Sequence, residues 1–188
     1  MYVTSQLVKD FEDSYGNPAI LTTEFVMNPD EFTFLKKSRK FERSHDITFF
    51  IRKDDKWIVN SKHWYPRGLY RIPSGGANPG ETVEEGTRRE AYEETGCEIE
   101  ILKYFLRIGV RFLCGEEHED WVSHLVLCRW TAGVLRPIDK REIKEVVLAG
   151  PEDFDNFTKI MLSLNVGGLH YREFLQRNAF KVLAEAGY

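Results

Sequence analysis

Between Gly75 and Cys97 the chain sets a glycine-rich turn directly before a strongly acidic helical segment, and only a limited set of folds accommodates that pair. The segment YRIPSGGANPGE is punctuated by glycine and proline from Pro73 to Gly80, a composition that marks a tight loop. The stretch TVEEGTRREAYEET carries helix formers, acids near its start and Gly96 just beyond its end. It predicts a helix of about four turns. On that helix Glu90, Glu93 and Glu94 stand at i, i+3 and i+4, so their carboxylates share an arc of roughly 100°. Like charges at these spacings are mildly unfavourable unless something positive sits among them. Hard divalent cations such as magnesium take such oxygen ligands and bridge to phosphates. The plain alternative is a solvated acidic face. Against it stands the apolar content: only Val83, Ala91 and Tyr92 are clearly apolar, and Gly86 and Thr87 are small. A broad hydrophobic stripe is missing, and small residues permit close approach to a sheet instead.

The rest of the chain supplies that sheet. ITFFIR, the turn Lys53-Asp54-Asp55-Lys56 and WIVNSKH read as a hairpin. EIEILKYFLRIGVRFL and WVSHLVLCRW are β-rich runs separated by a polar loop from Gly115 to Asp120, and IKEVVLA is a further strand. Pro151-Glu152-Asp153 starts a short helix, and HYREFLQRNAFKVLAEAG predicts a terminal helix with Phe174, Phe180 and Leu183 facing inward. Residues 1–44 contain a strand around Ile20 to Val26 and a short helix after Asn28-Pro29-Asp30. They read as an N-terminal extension, part of the same domain or a dimer contact, added to a main domain over 45–188. The expected class is α/β, a curved mixed sheet flanked by helices.

Composition narrows the function. With 188 residues, 42% apolar and 30% charged, the chain suits one folded domain rather than a disordered segment. A formal charge of -4 argues against a dedicated duplex-DNA binder, which needs a basic face. Nucleic acid is therefore not the expected partner, and a small phosphate-bearing molecule is. Cys97, Cys114 and Cys128 are too few and too scattered for a disulfide framework or a four-thiolate zinc site. The opening residues show no signal-peptide pattern and no run of about 18 apolar residues occurs, so no membrane partner is expected and the cytoplasm is the default compartment.

Loop and helix together resemble the Nudix signature G-x5-E-x7-R-E-U-x-E-E-x-G-U, in which U is apolar. Gly75 is followed at the required spacings by Glu81 and then by Arg89-Glu90-Ala91-Tyr92-Glu93-Glu94-Thr95-Gly96-Cys97, so every fixed position of a 23-residue motif is filled. Pro73 before the box and β-rich segments on both sides extend the resemblance over residues 45 to 186. Three positions depart from the common pattern: Ser74 where many members have glycine, Asn78 where many have glutamate, and Cys97 where an aliphatic residue is usual. None removes a motif carboxylate.

The resemblance implies a Nudix-type curved mixed sheet sandwiched by helices and hydrolysis of a diphosphate linkage in a nucleoside diphosphate derivative. It implies Glu90, Glu93 and Glu94 as metal ligands, with Glu81 assisting from the helix start and Arg89 orienting the glutamates. Magnesium is the implied cofactor, with manganese as a substitute. Gly75 and Gly76 are the implied substrate-binding residues of the loop. The general base varies within the family: Glu93, Glu94 and the downstream Glu142 are the candidates here, and Glu145 is the fallback. A solvated strand entry is the plain reading of the last two. Many relatives dimerise, so a homodimer is implied by analogy. Family substrates include nucleoside triphosphates, ADP-ribose, dinucleoside polyphosphates, coenzyme A and capped RNA ends, and selection among them lies outside the box. The alternative is a Nudix-fold binding or sensor module without turnover, but such proteins usually lose motif acids and all are present here.

Two further features have ordinary readings. Lys36, Lys37, Arg39, Lys40 and Arg43 interleave with Phe34 and Phe41, a pattern that suits an RNA end but is more often a solvated face. His63, His118 and His124 lack metal spacing, and Glu116, Glu117 and Glu119 read as surface charges.

Overall fold

The computed structural model describes residues 3–39 and 43–188. Its strands are β1 (Ala19–Val26), β2 (His45–Lys53), β3 (Lys56–Lys62), β4 (Ser74–Gly75), β5 (Cys97–Cys114), β6 (Glu117–Gly133) and β7 (Ile143–Ala149). Its helices are α1 (Ser5–Tyr15), α2 (Pro29–Ser38), α3 (Val83–Thr95), α4 (Pro151–Ser163) and α5 (Gly167–Glu185). The strands form one mixed sheet in the order β1-β5-β6-β2-β3-β7, with β4 on β2. β1 runs parallel to β5 and β2 parallel to β6, while the remaining pairs are antiparallel. The α/β class expected from the sequence is the one observed.

Each face of the sheet carries its own hydrophobic core. One core packs Phe32 of α2, Phe154 and Met161 of α4, and Leu169, Leu175 and Leu183 of α5 against the strands. The other packs Phe11 of α1 with Val83 and Ala91 of α3. β2 shows how the two are kept apart: Phe49 and Ile51 enter the second core and Phe50 the first, since successive side chains alternate faces. A strand covered on both sides reads as a continuous apolar run, as TFFI does.

The hairpin of β2 and β3 turns at Asp54-Asp55 and pairs only Arg52 with Trp57 and Lys53 with Lys56. β3 then parts from β2 and pairs with β7. Residues 71–75 step into this fork. Arg71 exchanges two backbone hydrogen bonds with Asn60 of β3, at 2.9 and 3.0 Å, and Pro73 accepts one from Phe49 of β2 at 3.1 Å. Ser74 and Gly75 complete the crossing opposite Thr48 and Ile47.

α3 starts at Thr82, whose hydroxyl accepts from the Glu85 amide at 3.1 Å while the Glu85 carboxylate returns a bond to the Thr82 amide at 2.9 Å. This reciprocal cap satisfies two otherwise orphaned donors. The helix stops at Gly96, whose φ of 72° lies in the left-handed region that side chains resist. Its buried stripe is Val83, Gly86, Thr87, Ala91, Glu94 and Thr95. One of the three clustered glutamates therefore points into the protein.

One expectation is corrected, and one helix was not anticipated. α1 was not expected, because its sequence is largely polar and only Phe11 is buried along its length. The polar loop expected over 115–120 is a two-residue turn, Gly115-Glu116, and Glu117 to Asp120 already belong to β6. The charges there are laid along the strand, with Asp120 bonded to Arg111 across the ladder at 2.8 Å. On α5 the expected inward face is observed: Leu183 is buried, and the partly buried Phe174 and Phe180 pack against the same core as Leu169, Tyr171, Leu175 and Ala179, with Phe180 against Phe50, Trp57 and Phe154.

Residues 3–39 are woven into this frame. β1 pairs with β5 along its whole length. Lys36 and Arg39 of the basic run form ion pairs with Glu117 and Glu119, while Lys40 and Phe41 lie outside the described residues. Glu31 closes the cap of α2 by accepting from the Asn28 amide at 3.1 Å. The same carboxylate accepts from the Gly167 and Gly168 amides at 3.1 and 3.0 Å, and so caps the start of α5. Glu31→Ala removes the acceptor for three donors, and we expect it to cost about 1–3 kcal/mol in urea unfolding. Glu31→Gln, which keeps one oxygen, should lose less.

Candidate active site

The site lies where α3 faces the fork of the sheet. Glu94 is 4% exposed. Its Oε2 accepts from Asn60 Nδ2 on β3 at 2.8 Å and from the Ser74 amide on β4 at 3.1 Å, so one carboxylate bridges both arms of the fork. Glu90, one turn earlier, accepts from the Gly76 amide at 3.2 Å. A Cβ on Gly75 would stand 2.1 Å from the Glu90 carboxyl carbon, so this position holds glycine because the acid occupies the space.

Arg89 ties the loop to the helix. Its guanidinium donates to Glu81 at 2.7 and 2.9 Å, to Glu93 at 3.2 Å and to the Gly76 carbonyl at 2.8 Å. It also stands 3.0 Å from Glu90. Glu81 in turn accepts from the Asn78 amide at 2.7 Å. Glu93 is the most open of these carboxylates, and its backbone carbonyl accepts from the amides of Ile138 and Asp139 at 3.0 and 2.9 Å. Loop 136–142 is thereby hung on the end of α3.

That loop delivers Glu142, which pairs with Lys62 of β3 at 2.5 Å. Glu145 sits two residues into β7 beside Tyr70. Gly75 and Gly76 lie at the carboxylates, in contact with Glu90 and Arg89. The structure thus draws Glu81, Arg89, Glu90, Glu93 and Glu94 into one cluster, with Glu142 at its edge through the fields it shares with Glu94. Among the described residues no three acidic, histidine or cysteine side chains converge at ligand distance. His63 bonds the Lys140 carbonyl and His124 the Tyr104 hydroxyl, both structural contacts. Cys97 and Cys128 are buried free thiols.

The electrostatics divide the acids. Burial pushes the Glu94 carboxyl up to about 7; Arg71 and Lys62 oppose the rise, and Glu142 and Glu90 reinforce it. Burial also raises Glu90, against the pull of Arg89. Burial works upward on Glu142 as well, but Lys62 and Arg71 bring it below the ordinary carboxylate range. The bond from Arg89 holds Glu81 down at about 2. Three residues of this network, Asn60, Lys62 and Arg71, escaped the sequence reading. A signal existed for Asn60, a polar residue inside the apolar run WIVNS, which is now fully buried. Arg71 is buried too, and donates to the Ser74 hydroxyl at 2.7 Å.

A family model described as the NUDIX domain matches residues 41–163. The chain belongs to the NUDIX family. Over 90 residues it is 32% identical to the human 8-oxo-dGDP phosphatase NUDT18, a match that covers 47% of this chain and 25% of that protein. It therefore spans about a quarter of that relative's length. A longer match of 143 residues, 24% identical, joins it to an RNA pyrophosphohydrolase of Bartonella bacilliformis and covers 68% of this chain and 82% of that protein. Among solved structures, the Bacillus subtilis pyrophosphohydrolase BsRppH shares the NUDIX fold with a TM-score of 0.54 and 21% identity, over 76% of this chain and 82% of the other.

The state of Glu94 can be read from stability. In the unfolded chain a glutamate loses its proton near pH 4.3, whereas the folded carboxyl holds it to about 7. Between these values the native state binds more protons than the unfolded state, so Glu94 withdraws stability as pH rises and adds no further slope above about 7. In chelator, the difference in unfolding free energy between Glu94→Gln and the wild type should move toward the variant from pH 5 to pH 8. The expected movement is on the order of 2–3 kcal/mol, measured by urea titration at each pH.

Proposed function

We propose that this chain hydrolyses the diphosphate linkage of a nucleoside diphosphate derivative, using divalent cations, magnesium first and manganese as a substitute. The observation that carries the reading is Glu94: a buried carboxylate, bonded by neutral donors and destabilised by its acidic neighbours, at the base of a cluster of glutamates. Such a group is costly to the fold unless a positive ligand answers it. The residues fit a hard cation. Both donors to Glu94 engage Oε2, which leaves Oε1 as its remaining acceptor. Beside it the buried Asn60 Oδ1 has no hydrogen-bond partner among the described residues. Glu90, Glu93 and Glu94 would hold the ion, and Glu81 would support them.

A bound divalent cation supplies neutralisation of the phosphate oxygens and a more acidic attacking water. The chain's own residues do the rest. Arg89 keeps Glu81, Glu90 and Glu93 oriented through charge-assisted bonds and fixes the loop through Gly76. Glu142, held ionised by Lys62, and Glu94, poised near neutrality, are the two carboxylates suited to take the water's proton. Lys62, paired with Glu142, is the cation placed to meet the substrate's charge, while the buried Arg71 acts on these acids through its field. The name of the Bartonella relative brings an RNA end into the same chemical class, since a terminal diphosphate offers the same linkage. Homodimer formation is proposed through β1, which pairs with β5 on one side and carries exposed Ile20 and Val26.

A panel of nucleoside diphosphate derivatives, with products identified by mass spectrometry, tests the reaction. Chelation should abolish turnover and magnesium restore it. Glu93→Gln should lower kcat/KM at least about a hundredfold, roughly 2.7 kcal/mol of transition-state stabilisation. Wild-type rates in that variant, or full activity in metal-free protein, refute the proposal. Light scattering at micromolar protein should give twice the chain mass, and a monomer refutes the dimer.

A further inference from the structure

Two segments far apart in sequence form one wall beside the glutamate cluster. The turn Lys62–Tyr65, closed by a 3.0 Å bond from the Tyr65 amide to the Lys62 carbonyl, meets loop 136–142 at two points. Lys62 pairs with Glu142 at 2.5 Å, and His63 bonds the Lys140 carbonyl at 2.9 Å. Because the loop also hangs from the Glu93 carbonyl, the wall is fixed to the site and not merely near it in the chain.

Two large apolar side chains on this wall face water. Trp64 is 60% exposed and Ile138 40% exposed. This exposure sets Trp64 apart from Trp57 and Trp121, which are 8% exposed each. The indole of Trp64 is also held in place. Its ring meets the ring of the buried Tyr65 edge-on, with centroids 4.5 Å apart and planes at 86°. Two exposed cations lie on the same wall, Arg67 on the connection that carries Trp64 and Lys140 on the loop opposite, while the open Arg141 is paired with Asp139. A flat apolar face, braced from behind and flanked by positive charge at the rim of an acidic site, matches both chemistries of a nucleotide, a stacking base and anionic phosphates.

We propose that Trp64 is the base-stacking residue of the substrate site, holding the nucleobase while the diphosphate reaches the glutamates. The inference rests on the reading of the site as a nucleotide site, and its test uses binding rather than turnover, so the two fail separately. The probes are the ADP analogue with a methylene group between its phosphates and methylenediphosphonate, which has no base, each with magnesium. By calorimetry Trp64→Ala should weaken binding of the analogue by about tenfold or more, and Trp64→Phe should keep it within about threefold. Methylenediphosphonate should bind all three proteins alike. The analogue should quench tryptophan emission in the wild type and lose most of that effect in Trp64→Phe. Unchanged affinity for the analogue in Trp64→Ala, equal loss of both probes, or quenching that survives in Trp64→Phe overturns the proposal. Altered metal dependence or activity in Glu93→Gln has no bearing on these outcomes.

Discussion

β2 and β3 share only two residue pairs before they part, and backbone groups uncovered by that parting must find partners inside the protein. Residues 71–75 provide them, bonding β3 through Arg71 and β2 through Pro73 and β4. The crossing strand has its own amide to satisfy at Ser74, and Glu94 accepts from it while also taking the Asn60 side chain. Helix α3 is thus registered against both arms of the fork by a single carboxylate. From this contact the placement of the other groups follows: Glu90 one turn earlier falls on the Gly75-Gly76 backbone, and Arg89 reaches back to the Gly76 carbonyl.

This arrangement trades stability for a concentration of negative charge. A buried acid with no cationic partner in contact is among the more expensive things a core can contain. Arg89 offsets part of the cost by spreading its donors over Glu81, Glu90 and Glu93, and Lys62 answers Glu142. Burial holds the Glu94 proton well above the ordinary range, and only the longer-range fields of Arg71 and Lys62 oppose it. Local rules of burial and pairing are obeyed across both hydrophobic cores and broken here, which is where a functional site is expected to break them.

What could be read from the sequence was what is encoded locally. The stop at Gly96 and the acidic positions before it depend on residues within a few positions of one another, and α3 runs as its composition predicts; the cap at Thr82 is equally local but was not read. The strand IKEVVLA and the Asn28 cap were legible for the same reason. α1 went unread although Val8, Phe11 and Tyr15 stand at helical spacing, because its apolar face is narrow and its packing partner, Tyr104, lies far away in the sequence. The expected loop at Gly115 to Asp120 failed differently: its charges suggested solvent, but on a strand they are satisfied by partners on β5 and α2. Asn60, Lys62 and Arg71 were hidden because their roles exist only once β3 and β4 meet α3. No spacing in the chain announces that meeting.

The same distinction separates the chemistry of the site from its choice of substrate. The carboxylates sit on a helix and on backbone locked into the sheet, where a displacement would break several hydrogen bonds together. The wall of Lys62–Tyr65 and loop 136–142 is held by one ion pair, one histidine bond, three amides on the end of α3 and the buried ring of Tyr65. Its outward residues, Trp64, Ile138 and Arg141, contribute little to either core and are free to differ without loss of the fold. Rigid elements hold charged groups to the tolerance that bond cleavage requires, and connecting segments vary what is brought to them. A motif confined to the rigid part therefore carries the family likeness in 23 residues, while the side chains of the wall lie outside it.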